Sequence, residues 1–343
     1  MADLDPHTSP LPLTDNFGRN ITYLRLSVTD RCDLRCSYCM SEHMSFLPKK
    51  ELLTLEELEH VSAAFIARGV KKIRVTGGEP LVRKNILSLF KNLGQYLGKG
   101  LDELTLTTNG TLLNQYADDL KACGVNRINI SLDTIDPDRF KSITRIGNLD
   151  VVLRGIDAAL NAGLQVKINT VALKNDNSND LVDMISWVHS KKMEMTLIEV
   201  MPLGETGEDR QDQFIPLSVI RDQLEERFSV EDIHRKDENA GPSRYVRIKE
   251  TGGKLGFITP LTNNFCANCN RIRVTCTGRI YMCLGQNDHV DLRAVLRQSD
   301  APHLALNKAM DTAMFRKPEK HEFVQQHRQT LPSLARHMSV TGG

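Results

Sequence analysis

Gly69-Val70-Lys71-Lys72-Ile73-Arg74-Val75-Thr76, Gly100-Leu101-Asp102-Glu103-Leu104-Thr105-Leu106-Thr107 and Gly124-Val125-Asn126-Arg127-Ile128-Asn129-Ile130-Ser131 are copies of one pattern. A fourth copy, one residue tighter, starts at Gly163 and runs through Val166-Lys167-Ile168-Asn169. Each opens on a glycine that ends a helix, where a left-handed backbone penalises a Cβ. Each continues as a strand in which apolar and polar residues alternate.

The segments between the copies read as helices. Thr54 and Glu57 make a capping box, and Leu58, Val61 and Phe65 then share one helical face. Val152, Ile156 and Leu160 do the same before Gly163. Two more β-like runs, residues 21–28 and 195–200, bracket the set. Six strands alternating with helices predict a parallel sheet. A doubly wound sheet buries both faces and has near-continuous apolar strands. Here every strand keeps a polar face: Arg74 with Thr76, Thr105 with Thr107, Asn129 with Ser131, Lys167 with Asn169. The fold class expected is therefore α/β: an open, partial β/α barrel of about six units with a polar interior. Its chemistry belongs at the C-terminal ends of the strands.

Residues 238–243 read as a linker, and residues 245–249 and 254–259 as a hairpin around Gly252-Gly253. Two helical stretches follow, over 289–297 and 301–315, and the last residues carry little pattern. The expected organisation is a flexible N-terminal tail over 1–14, the barrel over 15–237, a C-terminal α+β extension over 238–328, and a tail over 329–343 ending in Gly342-Gly343.

With 343 residues, 40% apolar, the chain has material for a large core. A net charge of +1 argues against broad binding to nucleic acid or an anionic membrane. No apolar run is long enough to span a bilayer, and residues 1–20 do not resemble a signal peptide. A cytoplasmic location follows as the expectation. There thiols stay reduced, and cysteines read as metal ligands or core residues.

Six of the eight cysteines form two groups. Cys32, Cys36 and Cys39 follow the first strand in a C-x3-C-x2-C loop. Three thiolates can hold three irons of a cubane [4Fe–4S] cluster and leave the fourth open. Structural zinc is the alternative, but it wants four closed ligands, and no nearby fourth is convincing. Cys266, Cys269 and Cys283, spaced C-x2-C-x13-C, repeat the incomplete triad, with Cys276 as a possible fourth ligand if the metal is zinc. Arg271 and Arg273 stand two residues apart beside it, so an extended backbone points both the same way. Planar forked donors suit phosphate and guanine edges. Arg25, Arg74 and Lys167 add charge to the barrel's polar face, where interior acids are too few to neutralise them. A bound triphosphate would supply the missing charge; salt bridges to loop acids are the alternative.

The first cysteine loop, with Tyr38 before its last cysteine, resembles the radical S-adenosylmethionine superfamily. Gly77-Gly78-Glu79-Pro80, by itself a plain strand-to-helix turn, strengthens that likeness. The resemblance implies that S-adenosylmethionine chelates the open iron, with Tyr38, Gly78, Ser131 and Met201 at cofactor-contacting positions. With both cysteine groups, the basic set and the Gly342-Gly343 tail, nearly the whole chain is similar to the GTP 3′,8-cyclase family of molybdenum cofactor biosynthesis. That likeness implies two [4Fe–4S] clusters, GTP held by Arg25, Arg74, Thr107, Lys167, Arg271, Ile272 and Arg273, and catalytic roles for Arg25, Arg271 and Arg273. It implies that a 5′-deoxyadenosyl radical removes the ribose H3′ and that C3′ then bonds to C8 of the guanine. One electron and one proton complete the product. An external electron donor, a downstream cyclic pyranopterin monophosphate synthase and a possible homodimer are the partners it implies. Val340-Thr341 and Ser41 depart from the family's usual residues. A peptide-modifying radical enzyme and a zinc-stabilised binding protein are the competing readings; the first usually carries more cysteines after its barrel.

Overall fold

The computed structural model describes residues 11–206, 212–233, 241–263, 265–321, 334 and 336–342. Gly343, residues 1–10 and residues 238–240 of the expected linker lie outside the described residues.

Six parallel strands stand side by side in chain order: β1 (Tyr23–Ser27), β2 (Lys72–Thr76), β3 (Glu103–Thr108), β4 (Arg127–Ser131), β5 (Gln165–Ala172) and β6 (Glu194–Glu199). The helices between them are α1 (Leu55–Ala67), α2 (Ile86–Gly94), α3 (Leu113–Ala122), α4 (Pro137–Thr144), α5 (Leu149–Asn161) and α6 (Leu181–Ser190). The four pattern glycines all have positive φ: +92° at Gly69, +113° at Gly100, +88° at Gly124 and +73° at Gly163. Gly69, Gly124 and Gly163 turn the chain from a helix end into the next strand, whereas α2 ends earlier, at Gly94, and Gly100 lies in a separate turn bridged by Leu97 and Leu101. A side chain resists that backbone.

The alternation sorts the two faces. Ile73 and Val75 of β2 are fully buried together with Leu58, Val61 and Phe65 of α1. Each such side chain contributes roughly 1.5–3 kcal/mol by leaving water. The cap that starts α1 is closed in both directions: Glu57 N–H donates to Thr54 Oγ1 at 3.1 Å, and Thr54 N–H donates to Glu57 Oε2 at 2.8 Å. The opposite strand face carries polar residues.

After α7 (Leu217–Glu225) come β7 (Val230–Ile233), β8 (Arg244–Ile248), β9 (Lys254–Ile258), β10 (Arg271–Val274), β11 (Arg279–Tyr281) and β12 (His289–Asp291). The expected hairpin is the antiparallel β8–β9 pair. These later strands build no sheet of their own. β9 pairs parallel with β6, and β10 pairs parallel with β1. The barrel therefore has eight parallel strands, flanked by β7–β8 and β11–β12. It stays open, because β9 and β10 are not neighbours.

Two details differ from the sequence reading. Residues 289–291 pair with β11 rather than joining a helix. Asp291 accepts from Ala294 N–H at 3.0 Å and caps α8 (Leu292–Gln298), so the helix starts only after it. The chain end also forms a short helix, α10 (Met338–Thr341), while α9 (Pro302–Arg316) is as expected.

Candidate active site

The two cysteine groups lie at opposite ends of the barrel strands. The first follows the C-terminal end of β1. The second precedes β10, whose first residue, Arg271, pairs with Tyr23 at the N-terminal end of β1. Cys283 follows β11, which runs antiparallel to β10 and so ends at that same side.

The first loop is tied down on three sides. Arg35 N–H and Ser37 N–H donate to the Thr144 and Ile143 carbonyls at the end of α4, at 3.1 and 2.9 Å. Asp33 accepts from Asn109 Nδ2 at 2.7 Å and from Thr111 Oγ1 at 2.6 Å. Gly78 packs so closely that a Cβ would overlap the Arg31 carbonyl. Leu34 N–H lies 3.4 Å from Cys32 Sγ, and Asn109 Nδ2 lies 3.8 Å from it. Such donors stabilise sulfur that carries negative charge in a cluster. Burial pushes the Cys32 thiol up to about 12 and the Cys36 thiol well above its usual range. No cation is among the largest influences on either thiol, so a bound metal is what would keep them ionised. The donor set, the tied loop and the glycine cradle fit a cluster with a small cofactor against it.

Near the same end, Tyr38 donates to Asp133 Oδ2 at 2.8 Å. Burial pushes the Asp133 carboxyl up to about 6. Glu79, fully buried, accepts from Thr108 Oγ1, Asn109 N–H and Leu81 N–H at 2.7–2.9 Å.

On the second group's side of the barrel is a cavity of about 840 Å³; Cys32, Cys36 and Cys39 are not among the residues that line it. Arg25, Arg74, Lys167, Met201, Arg271 and Arg273 line it, as do Cys266, Cys269 and Cys283. The arginines form a row: Arg25 pairs in register with Arg273 on one side and Arg74 on the other. Nine Lys or Arg side chains line the cavity against two carboxylates, Glu103 and Glu194. Glu103 is shared by Lys72 at 2.6 Å and Arg127 at 2.5 Å. Among the described residues, Arg74, Lys167, Arg271 and Arg273 form no ion pair with a carboxylate. Burial, with Arg25 and Arg271 nearby, holds the Arg273 guanidinium well below its usual range. Asn129 Oδ1 and Thr196 Oγ1 are also buried there with no partner among the described residues. Uncompensated buried charge and orphaned acceptors are costly, so the cavity is built for an anionic, hydrogen-bonding ligand.

The second cysteine group has a different electrostatic setting. Burial pushes the Cys269 thiol up, but Arg271 and Lys317 outweigh it and bring it down to about 7. Arg19 fixes the loop: its guanidinium donates to the Cys266 carbonyl at 2.8 Å and to Asp15 at 2.6 Å. These donors fit a group that carries negative charge on cysteine sulfur. The chain end closes over the first strands. Arg273 Nη1 donates to the Gly342 carbonyl at 2.5 Å, and Gly342 has φ +74°. A Cβ on Gly342 would overlap Thr76 Oγ1.

The Radical SAM superfamily profile matches residues 26–188, and the Molybdenum Cofactor Synthesis C profile matches residues 193–323. The chain is 58% identical over 332 residues to the GTP 3′,8-cyclase of Rhizobium etli, covering 97% of this chain and 94% of the relative. It is 58% identical over 337 residues to the GTP 3′,8-cyclase of Rhizobium meliloti, covering 98% of this chain and 96% of the relative. The chain belongs to the GTP 3′,8-cyclase family. Among solved structures, Streptococcus suis SuiB superposes with a TM-score of 0.62 at 14% identity, covering 94% of this chain and 78% of that one. At that identity the likeness shows the fold alone. Membership in a radical S-adenosylmethionine family brings with it a [4Fe–4S] cluster and S-adenosylmethionine.

Against the family reading, the remaining predicted residues are placed as follows. Thr107 Oγ1 accepts from Arg74 Nη1 at 3.2 Å and so steadies that arginine. Ser131 ends β4, in register with Asn169. The Ile272 side chain is in the apolar core, 1% exposed, so only its backbone can face a ligand. Sequence reasoning passed over Tyr23, Lys72 and Arg127, which also line the cavity. The period-two rule points to the first two, since Tyr23 is two residues before Arg25 and Lys72 two before Arg74. Tyr23 accepts from Arg74 Nε at 2.5 Å. Burial raises its phenol, but Arg74, Arg25 and Lys72 together bring it down to about 7. Lys167 donates to the Tyr245 phenol, a partner from β8 that no local pattern announces.

Proposed function

We propose that this chain cyclises GTP to 3′,8-cyclo-7,8-dihydro-GTP, the first step of molybdenum cofactor biosynthesis, using two [4Fe–4S] clusters. One observation carries the reading: a cavity with nine cationic side chains and two carboxylates, lined by Cys266, Cys269 and Cys283, with the first cysteine group beyond the opposite end of β1. Cys32, Cys36 and Cys39 hold the first cluster, with Tyr38, Gly78, Ser131 and Met201 around S-adenosylmethionine. Cys266, Cys269 and Cys283 hold the second, which takes the guanine. When bound, the first cluster and S-adenosylmethionine supply the one-electron chemistry that creates a hydrogen-abstracting radical.

The chain's own residues supply position and exclusion. Arg25, Arg74, Lys167, Arg271 and Arg273, with Thr107 and the Ile272 backbone, bind the nucleotide. Arg25, Arg271 and Arg273 orient it so that C3′ meets C8. Fixing two atoms of one molecule in near-attack geometry removes most of the entropic barrier. Arg74 is buried and Arg25, Arg271 and Arg273 are half-buried in the cavity, where each hydrogen bond to phosphate is stronger than in open water. Gly342, seated against Thr76 and Ser27, helps exclude water from the strand ends.

The working unit comprises the barrel over 15–237, the extension over 238–328 and the tail over 329–343. An external one-electron donor, transfer of the product to a cyclic pyranopterin monophosphate synthase, a homodimeric assembly and a cytoplasmic setting complete the reading. Among the described residues no helix is long and apolar enough to cross a membrane.

The deciding experiment is anaerobic incubation of reconstituted protein with GTP, S-adenosylmethionine and a reductant, followed by identification of the product. The 3′,8-cyclised nucleotide and 5′-deoxyadenosine are expected together. Deoxyadenosine without any nucleotide product, or a colourless protein holding zinc, would end the proposal.

A further inference from the structure

Lys317, the residue after α9, is 3% exposed. Its ammonium has three hydrogens and three acceptors: the Met282 carbonyl at 2.8 Å, the Arg271 carbonyl at 2.9 Å and Cys269 Sγ at 3.7 Å. Two acceptors are neutral. Among the described residues no carboxylate pairs with it, and the charges acting on it most strongly are Cys269, Arg19, Cys283 and Arg271. Its neighbour Arg19 is different, because Asp15 neutralises that guanidinium at 2.6 Å. A buried ammonium without a counter-charge is expensive. Among the described residues, the one group hydrogen-bonded to Lys317 that can carry negative charge is the sulfur of Cys269.

We propose that Lys317 is the counter-ion of the second cluster, a positioning residue that donates to the Cys269 sulfur and keeps the cluster's reduction potential high. The inference rests on the reading of Cys266, Cys269 and Cys283 as cluster ligands. Reduction adds negative charge to the cluster, and a fixed positive charge in a dry site favours that more negative state. Hydrogen bonds to sulfur and local net charge are the established levers on such potentials. The same ammonium grips the carbonyls of Arg271 and Met282, the residues that start β10 and precede Cys283. It thereby locks the substrate arginines and the third ligand to one point.

The test uses the full chain carrying Cys32→Ser, Cys36→Ser and Cys39→Ser, so that only the second cluster remains, purified anaerobically. Iron is counted, and the midpoint potential is read by electron paramagnetic resonance during redox titration. Lys317→Met, of similar length but neutral, is expected to keep its iron and lower the potential by at least about 59 mV, a tenfold shift for one electron. Lys317→Arg should remain within that margin of the parent. A Lys317→Met protein with full iron and an unchanged potential overturns the proposal. Should Lys317→Met lose its iron, recovery of iron and potential by Lys317→Arg but not by neutral Lys317→Gln supports the counter-ion role. Full recovery by Lys317→Gln refutes it. A parent that binds no iron at all refutes the cluster reading itself, a result distinct from any of these.

Discussion

Replacing Arg25 with methionine should make the nucleotide-free protein more stable and the nucleotide complex weaker. Arg25 lies between Arg273 and Arg74 in the sheet register. Burial, opposed by Tyr23 and reinforced by Arg74 and Arg271, brings its guanidinium from the ordinary arginine range down to about 10. At about 1.36 kcal/mol per unit, that is roughly 3 kcal/mol against the charged form. The side chain is only partly buried and faces the cavity, so water screens the penalty to about 1–2 kcal/mol. The sign follows from linkage. A base whose folded value is depressed carries its penalty at every pH below the folded value, and the penalty fades only above about 10. At neutral pH methionine removes it, raising the melting temperature of nucleotide-free protein by a few degrees. With GTP bound, the variant forgoes a charge-assisted hydrogen bond worth about 1.5–3 kcal/mol, or roughly ten- to a hundred-fold in affinity. Thermal melts of the reconstituted protein and calorimetric titration with GTP read both effects. A variant that melts lower without nucleotide, or binds GTP as tightly as the parent, refutes the claim that this row is strained in order to bind phosphate.

Cys36→Ser should abolish 5′-deoxyadenosine formation, whereas Cys269→Ser should retain some cofactor cleavage and yield no cyclised nucleotide; chromatography of one reaction mixture reads both. Gly78→Ala drives a Cβ into the Arg31 carbonyl and should displace the first cysteine loop, cutting S-adenosylmethionine cleavage by an order of magnitude or more while the second cluster's iron is retained. Gly342→Ala combines a left-handed φ of +74° with overlap on Thr76, so the tail should leave its seat and cyclisation should slow, with the melting temperature within a degree or two of the parent. Burial pushes the Glu79 carboxyl from 4.5 up to about 7 in the folded chain. Between those values the folded state holds a proton that the unfolded chain has released, so stability falls as pH rises through that window. Urea melts at a series of pH values should show that slope, flattened in Glu79→Gln.

The barrel was legible because its signals are local. A left-handed glycine ahead of four of the strands and a two-residue alternation within them are decided within eight residues of chain. Arg25, Arg74, Lys167, Arg271 and Arg273 inherit their common orientation from that alternation. What the sequence did not disclose is non-local. Nothing in Leu255-Gly256-Phe257 or Arg271-Ile272-Arg273 says which strand each will pair with. The physical reason they pair with β6 and β1 is general: an open six-stranded sheet leaves two rows of unmet backbone donors and acceptors, and those edges must be covered. Once β9 and β10 take opposite edges in parallel, the chain between them has to run from the C-terminal end of β9 back to the N-terminal start of β10. Cys266 and Cys269 lie on that return, so the edge pairing delivers them to the barrel floor, beneath the arginine row and away from Cys32, Cys36 and Cys39. The separation of the two cysteine groups to opposite ends of the barrel is therefore a consequence of topology. It depends on β10 adding to β1, and a proline at Ile272 tests it. Its backbone would lose the N–H that the parallel ladder uses. Such a protein should keep the first cluster and lose the second together with GTP binding, although no cysteine has been touched.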